Sequence, residues 1–315
     1  MKDPAAFRRE AVAAIRERAP AGALVAASGG IDSTVAGLLA QEALGARCHA
    51  LFVDTGLLRE GEEARVRALF HAAGLAVTVA PAAERFLRAL AGVTDPEEKR
   101  RRIGTEFVRL FEEEAARWSV PALVQGTIAP DWIESGGQHR DTIKTHHNVG
   151  GLPRDMRLAV VEPLRDLYKD EVRELARHLG VPDPDRQPFP GPGLAVRVHG
   201  EVTAAAVALC RRANRAVEEE VEAAVARGEL PRPWQYFAVL LPVRTVGVTG
   251  DNRIYGQAVS LRIVDSVDAM TATAATVPAE LLRTIAERIT RESPGQITRV
   301  LFDVTDKPPA TIEWE

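Results

Sequence analysis

Lysine is scarce in this sequence: of 40 basic residues only five are lysine, Lys2, Lys99, Lys144, Lys169 and Lys307. Cysteine is scarcer still, and Cys48 and Cys210 are too few for a disulfide framework or a thiolate metal site. Sixteen of 315 residues are aromatic, so the core has to be built mainly from Ala, Val, Leu and Ile. There is no basic excess; a net charge of −4 argues against a dedicated nucleic-acid binder. No apolar run reaches the 18 or so residues of a membrane span. Met1–Glu10 is charged and has no apolar h-region, so no secretory leader is expected and the cytoplasm is the expected compartment. What is present is a chain 46% hydrophobic and 27% charged, enough for a substantial core in one large domain or two.

Apolar periodicity gives the layout. A helix is expected over residues 5–18, then a short buried strand at Leu24–Ala27, a glycine turn, and a helix over Val35–Ala43. Further strands are expected at Leu51–Val53, Val77–Ala80, Ala122–Val124 and Ala159–Val161, with helices over Glu62–Ala73, Glu98–Arg117 and Asp166–Leu179 between or after them. Strands alternating with helices at this spacing predict an α/β fold with a doubly wound parallel sheet. Asp183–Gly193 then holds four prolines, which cannot continue a helix or a central strand. Beyond it a long helix over Thr203–Arg227 carries an apolar stripe of Val207, Cys210, Val217, Val221 and Val225. The last hundred residues alternate like half-buried strands, at 259–263 and 300–304, around a helix over Ala279–Thr290. The expected division is a first domain over 1–187 and a smaller α+β domain over 188–315.

The sharpest local signal is Ser28-Gly29-Gly30-Ile31-Asp32-Ser33-Thr34, after the first strand and opening a helix. Two glycines allow a tight turn whose N–H groups converge at the helix N-terminus, an anion nest to which Ser28, Ser33 and Thr34 add hydroxyls. It lacks the Gly-Lys-Ser/Thr of a Walker loop and the third glycine of a dinucleotide fingerprint. Asp32 sets it apart. An acid inside a phosphate cradle repels phosphates unless a divalent cation lies between, which points to Mg²⁺. A plain strand-to-helix turn capped by Asp and Ser is the alternative on spacing alone.

Ser-Gly-Gly-x-Asp-Ser in this position resembles the pyrophosphate loop of the N-type ATP pyrophosphatases, which adenylate a substrate oxygen. Further segments resemble the GMP synthetase family. They are Phe52–Arg59, Gln125–Ser135, Ile143–Pro153, Pro188–Arg197 and Lys307–Glu315, in order along nearly the whole chain. The resemblance implies an ATP pyrophosphatase domain followed by a domain that dimerises and binds xanthosine monophosphate (XMP). It implies that ATP adenylates the XMP O2 with release of pyrophosphate, and that ammonia then displaces AMP to give GMP.

Site residues follow from the same resemblance. Ser28, Gly29, Gly30, Asp32 and Ser33 would hold the pyrophosphate end of ATP, with Asp32 on Mg²⁺ and Asp131 as a second metal-side carboxylate. Val53 would lie against adenine, and Gly126 would let the backbone approach the nucleotide. Lys144, in the glycine-flanked stretch 136–151, would close over the reacting phosphates as part of a lid; His139, His146 and His147 read as hydrogen-bonding lid residues rather than a zinc site. Arg197, Lys307, Thr311, Ile312 and Glu313 would bind XMP, and Arg244 and Arg253 are further candidates for phosphate contacts. Lys2 and Lys99 read as chance or as solubilising surface residues. Neither cysteine sits in a nucleophile elbow, so ammonia is expected from a separate glutaminase subunit. Another ATP pyrophosphatase, such as an NAD synthetase or a tRNA-modifying enzyme, and a non-catalytic nucleotide sensor are the rival classes. Lys144 in its lid and the Lys307–Glu313 segment together weigh against the sensor, and the lack of a basic excess or of catalytic or metal-binding cysteines weighs against a tRNA-modifying enzyme.

Overall fold

The computed structural model describes residues 3–129, 156–182, 186–267 and 269–315. Lys2, Asp131, Lys144 and the histidines at 139, 146 and 147 lie outside them. The chain forms two compact units. One comprises Met1–Gly56, Gly61–Ala89 and Arg100–Pro192; the other comprises Leu57–Glu60, Leu90–Lys99 and Gly193–Glu315.

In the first unit α1 (Pro4–Arg18) begins at Asp3, whose carboxylate accepts from the Ala5 amide at 3.0 Å, with proline in the first position. There follow β1 (Ala23–Ala26), α2 (Ile31–Leu44), β2 (Cys48–Asp54), α3 (Glu62–Ala72), β3 (Val77–Pro81), α4 (Ala83–Leu90), α5 (Pro96–Arg117), β4 (Ala122–Val124), β5 (Ala159–Val161) and α6 (Lys169–His178). The five strands are parallel, in the order β3-β2-β1-β4-β5. From β1 the chain adds strands outward on one side, then returns to add β4 and β5 on the other. Right-handed crossovers in opposite directions wind helices onto both faces, which is the doubly wound arrangement. Burial on two faces is why Leu24, Val25, Leu123 and Val124 are uniformly apolar and fully buried.

Two local differences from the expected layout have simple causes. Helix α4 is unforeseen because eight residues show only one apolar step, Phe86 to Leu90, both fully buried. Helix α6 starts three residues later than Asp166 because Glu171 accepts from the Tyr168 amide at 2.9 Å and closes a capping box there.

The second unit opens with a 3₁₀ turn, Gly193–Arg197, and α7 (Ala204–Ala226), then β6 (Gln235–Thr249), β7 (Asn252–Asp265), β8 (Thr273–Ala274), α8 (Ala279–Glu292) and β9 (Ile297–Phe302). β6, β7 and β8 pair antiparallel, whereas β9 joins β7 in parallel. β6 has no clear reading in the sequence because it contains Pro242; a register shift between Leu241 and Arg244 accommodates the missing donor. β9 ends at Phe302, short of Val304, because Asp303 accepts from the Thr305 amide at 2.9 Å and turns the chain.

From that turn the segment 303–315 has no regular structure, and buried cations hold it. Lys99 is fully buried and bonds the side chain of Glu315, which overturns its reading as a chance or solubilising residue. Arg262, also fully buried, pairs with Asp303 at 3.3 Å and donates to the carbonyls of Thr305 at 2.5 Å and Thr311 at 3.0 Å. Removing such a cation strands a carboxylate and two carbonyls. Arg262→Met is therefore expected to lower stability by about 3 kcal/mol or more, read from urea unfolding. A loss below about 1 kcal/mol would show that the segment does not depend on this anchor.

Candidate functional site

β1 runs into α2 through Ser28-Gly29-Gly30. Gly29 has φ +78°, and a Cβ there would lie 2.3 Å from Val66 Cγ2, so only glycine fits. Gly30 caps α2 with no side chain of its own, so the amides of the first turn have no side-chain cap. The hydroxyls brace the loop from inside. Ser33 Oγ donates to the Gly30 carbonyl at 3.0 Å, Thr34 Oγ1 to the same oxygen at 2.8 Å, and Ser28 Oγ to Ser33 Oγ at 2.9 Å. Ser33 and Thr34 are buried, whereas Ser28 and Gly30 are exposed.

Asp32, in the first turn of α2, receives Lys169 from the start of α6, with Nζ 2.6 and 2.9 Å from its two oxygens. An anion and a cation thus stand together at a helix N-terminus that favours negative charge. Gly126, after β4, brings its chain against this turn; a Cβ there would lie 2.6 Å from Asp32 C and 2.7 Å from Ser33 N. Its close approach is to the loop that forms the nest. Val53 lies buried near the end of β2, and Asp54 closes the following turn by accepting from the Gly56 amide at 3.0 Å. Behind the loop, Arg65 donates to the Gly29 carbonyl at 2.8 Å and to Glu62 at 2.6 Å, and Arg186 grips both Glu62 oxygens at 3.0 and 3.1 Å.

The second unit gathers the other expected residues. Arg197 is 1% exposed and forks onto Glu313, Nε to Oε2 at 3.1 Å and Nη2 to Oε1 at 2.7 Å. Its Nη1 donates to Asn214 Oδ1 at 3.0 Å, and its guanidinium lies 4.0 Å above the Phe237 ring. Asn214 also accepts from the Ala238 amide at 3.2 Å and donates to the Cys210 and Ala238 carbonyls, each at 2.8 Å. Gln235 Nε2 adds a bond to Glu313 Oε1 at 3.0 Å. Thr311 Oγ1 bonds the Glu313 carbonyl, and Lys307 Nζ donates to the Ala269 carbonyl at 2.8 Å. Ile312 puts its side chain into the core with Phe237, Val239, Val264 and Ala272, so only its backbone is available to a ligand. Arg244 donates to the Tyr255 carbonyl at 2.7 Å, and Arg253 pairs with Val248 across the β6–β7 hairpin.

The structure thus joins Asp32 with Ser28, Gly29, Gly30, Ser33 and Gly126 in one unit, and Arg197 with Glu313, Thr311 and Ile312 in the other. Sequence reasoning missed Lys169, Glu62, Arg65, Arg186, Asn214 and Gln235. For Lys169 a signal existed, since it is one of five lysines and opens a helix; the others lie on ordinary polar helix, loop or strand-end positions. Burial pushes both thiols, Cys48 and Cys210, up to about 12, so neither is an activated nucleophile. Among the described residues no group of three or more His, Cys, Asp or Glu gathers as a metal site, and no helix is long and apolar enough to cross a membrane.

Against known proteins, the chain is 56% identical over 301 residues to a subunit of the glutamine-hydrolyzing GMP synthase of Thermoplasma acidophilum, with 96% of each chain covered. The same subunit from Methanopyrus kandleri is 54% identical over 319 residues, covering both chains completely. The chain belongs to the family of this GMP synthase subunit. The family described as GMP synthase C terminal domain matches residues 220–314. A solved NMN synthetase from Francisella tularensis aligns with 62% of this chain and 79% of its own at 21% identity and a TM-score of 0.48.

The nest depends on close packing at Gly126. Gly126→Ala forces the α2 turn to shift and is expected to cost about 1–3 kcal/mol, measured by urea unfolding. Wild-type stability in that variant would show that the turn yields freely.

Proposed function

We propose that this chain is the synthetase subunit that makes GMP from XMP, ATP and ammonia. The observation that carries the reading is the nest after β1, where exposed Ser28 and Gly30 stand beside the Asp32–Lys169 pair. A carbonyl oxygen on a purine ring is a poor leaving group, whereas AMP is a good one. In the first step the XMP O2 forms a bond to the α-phosphorus of ATP and the bond to pyrophosphate breaks. In the second, ammonia adds at C2, AMP departs with the oxygen, and one proton is released.

Charge builds on the departing pyrophosphate, so donors fixed beforehand lower the barrier most. The first-turn amides of α2, Ser28 and Ser33 suit the pyrophosphate end of ATP, and Val53 suits the adenine. Lys144 is read as the cation that closes over the phosphates. Lys169 holds Asp32 in place and is the second ammonium within reach of the nest. Mg²⁺ fits this loop, because it takes one or two carboxylates and leaves its other positions to phosphate oxygens and water; Asp32 would hold it, with Asp131 as the second carboxylate. When bound, the ion supplies positive charge against the phosphates.

Recognition of XMP is assigned to Arg197, Lys307, Thr311, Ile312 and Glu313. The 19% exposure of the Glu313 side chain, fixed by Arg197 and Gln235, supports a role as acceptor for the purine, and the geometry gives Arg197 the part of orienting Glu313. In this reading residues 1–187 form the ATP pyrophosphatase domain and 188–315 the XMP-binding and dimerising domain. Exposed Val246, Val248 and Tyr255 on one face of the β6–β7 hairpin support a homodimer through the second domain. With both thiols free and unactivated, ammonia comes from a separate glutaminase subunit, and a reducing compartment, the cytoplasm, suits the chain.

Purified chain with MgATP, XMP and an ammonium salt should yield GMP, AMP and pyrophosphate in equal amounts, with glutamine unable to replace ammonium. ADP as product, or no turnover despite ATP binding, would refute the reading. Lys169→Ala is expected to lower kcat about 100-fold or more, the scale for losing one charge-stabilising donor. Unchanged kcat would remove Lys169 from the phosphate machinery.

A further inference from the structure

Lys99 is fully buried, and its ammonium has three acceptors: the Val198 carbonyl at 2.8 Å, the Ala195 carbonyl at 3.4 Å and Glu315 Oε2 at 2.5 Å. The two carbonyls flank Arg197 on the 3₁₀ turn, and Glu315 lies two residues beyond Glu313. Lys99 therefore joins, from behind, the two pieces of chain whose side chains meet in the Arg197–Glu313 fork. Glu315 is itself almost wholly buried, and its other oxygen lies 3.6 Å from His199 Nδ1. A charge pair this deep is costly to maintain for stability alone, since an apolar pair of similar volume serves as well or better. All three acceptors meet a single nitrogen, which suits an ammonium with its three donors on one atom. That explains a lysine here in a chain that otherwise uses arginine.

We infer that Lys99, through Glu315 and the Arg197 turn, is a positioning residue for substrate recognition by the Lys307–Glu313 segment, setting the orientation of Glu313 toward XMP. The inference rests on the reading of that segment as the XMP site. It differs from a purely structural role in what it predicts: loss of Lys99 or Glu315 weakens XMP and leaves ATP alone.

The test uses the full chain with MgATP, XMP and ammonium, and measures both KM values, kcat and the melting temperature. Lys99→Met and Glu315→Ala are each expected to raise KM for XMP tenfold or more. KM for ATP should stay within twofold and kcat at saturating XMP within threefold. Glu315→Gln keeps an acceptor for Lys99 and should hold KM for XMP within threefold of wild type. It also serves if Lys99→Met does not fold, since the contrast between Glu315→Ala and Glu315→Gln is then the readout. Unchanged KM for XMP, equal losses for ATP and XMP, or no difference between Ala and Gln at 315 would overturn the inference. Lys307→Ala and Glu313→Gln are run alongside. If they raise KM for XMP and the Lys99 and Glu315 variants do not, the inference alone fails. If they too leave it unchanged, the segment is not the XMP site and both readings fall.

Discussion

A parallel strand that passes into a helix through a glycine turn leaves amide donors at its carboxyl end with no partner in the sheet, and the first unit is arranged around those donors. With β1 central in the order β3-β2-β1-β4-β5, its neighbours are reached in opposite directions, so the crevice at the strand ends opens there. β4 leaves the sheet at Gly126, without a side chain, because the α2 turn occupies the space a Cβ would need. Gly29 meets the same restriction from Val66 of α3. The nest is thus packed from two sides by glycines. A chain of charges, Arg186 to Glu62 to Arg65 to the Gly29 carbonyl, fixes its third. Its hydroxyls bond within the loop and hold the turn, and no side chain caps the first-turn amides of α2.

The second unit solves a different problem, which is how to hold a segment without helix or strand in one conformation. Hydrophobic burial supplies Ile312, in a cluster with Phe237 and Val264. Backbone bonds between Lys307 and Ala272 tie it at one point, and ionic restraint comes from Arg262, Arg197 and Lys99, each of which reaches a different part of 303–315. Buried charge tolerates little misplacement, because an unpaired donor in a dry interior is expensive. The same property that makes such pairs poor general stabilisers makes them good at specifying a single geometry. Asn214 shows the degree of satisfaction involved: its oxygen accepts twice and its nitrogen donates to two carbonyls while supporting Arg197.

Most elements of the parallel sheet were legible because burial on both faces leaves an unbroken apolar run, as at Leu24–Val25 and Leu123–Val124. The turn from β1 into α2 was legible because two adjacent glycines followed by Asp, Ser and Thr mark a tight turn opening a helix. What stayed hidden was of two kinds. Short or interrupted elements, α4 and the proline-bearing β6, carry too few periods to stand out. Long-range pairs cannot be read at all from one sequence: nothing near Lys99 indicates a partner 216 positions away, and nothing near Asp32 indicates Lys169. Lys99 misled for a physical reason. Surrounded by Glu97, Glu98, Arg100 and Arg101, it looks like one charge of a solvated helix face, yet it is the residue of that run that turns inward.

The scarcity of lysine and the places where it survives have a common explanation in donor geometry. Where the acceptor is a planar carboxylate, this chain uses arginine: Arg197 on Glu313 and Arg186 on Glu62 each set two nitrogens against two oxygens. Where one nitrogen serves several acceptors, as at Lys99 with two backbone carbonyls and Glu315, a lysine stands. At Asp32 both arrangements would fit the carboxylate alone, and Lys169 is found there. An arginine fork would close on the two oxygens and stay. An ammonium is a compact charge that can exchange one oxygen for another as the charge around it changes, which suits a carboxylate in the first turn of a helix. At Lys99 and Lys169 lysine thus stands where several acceptors meet one nitrogen, and the abundance of arginine elsewhere makes those positions conspicuous.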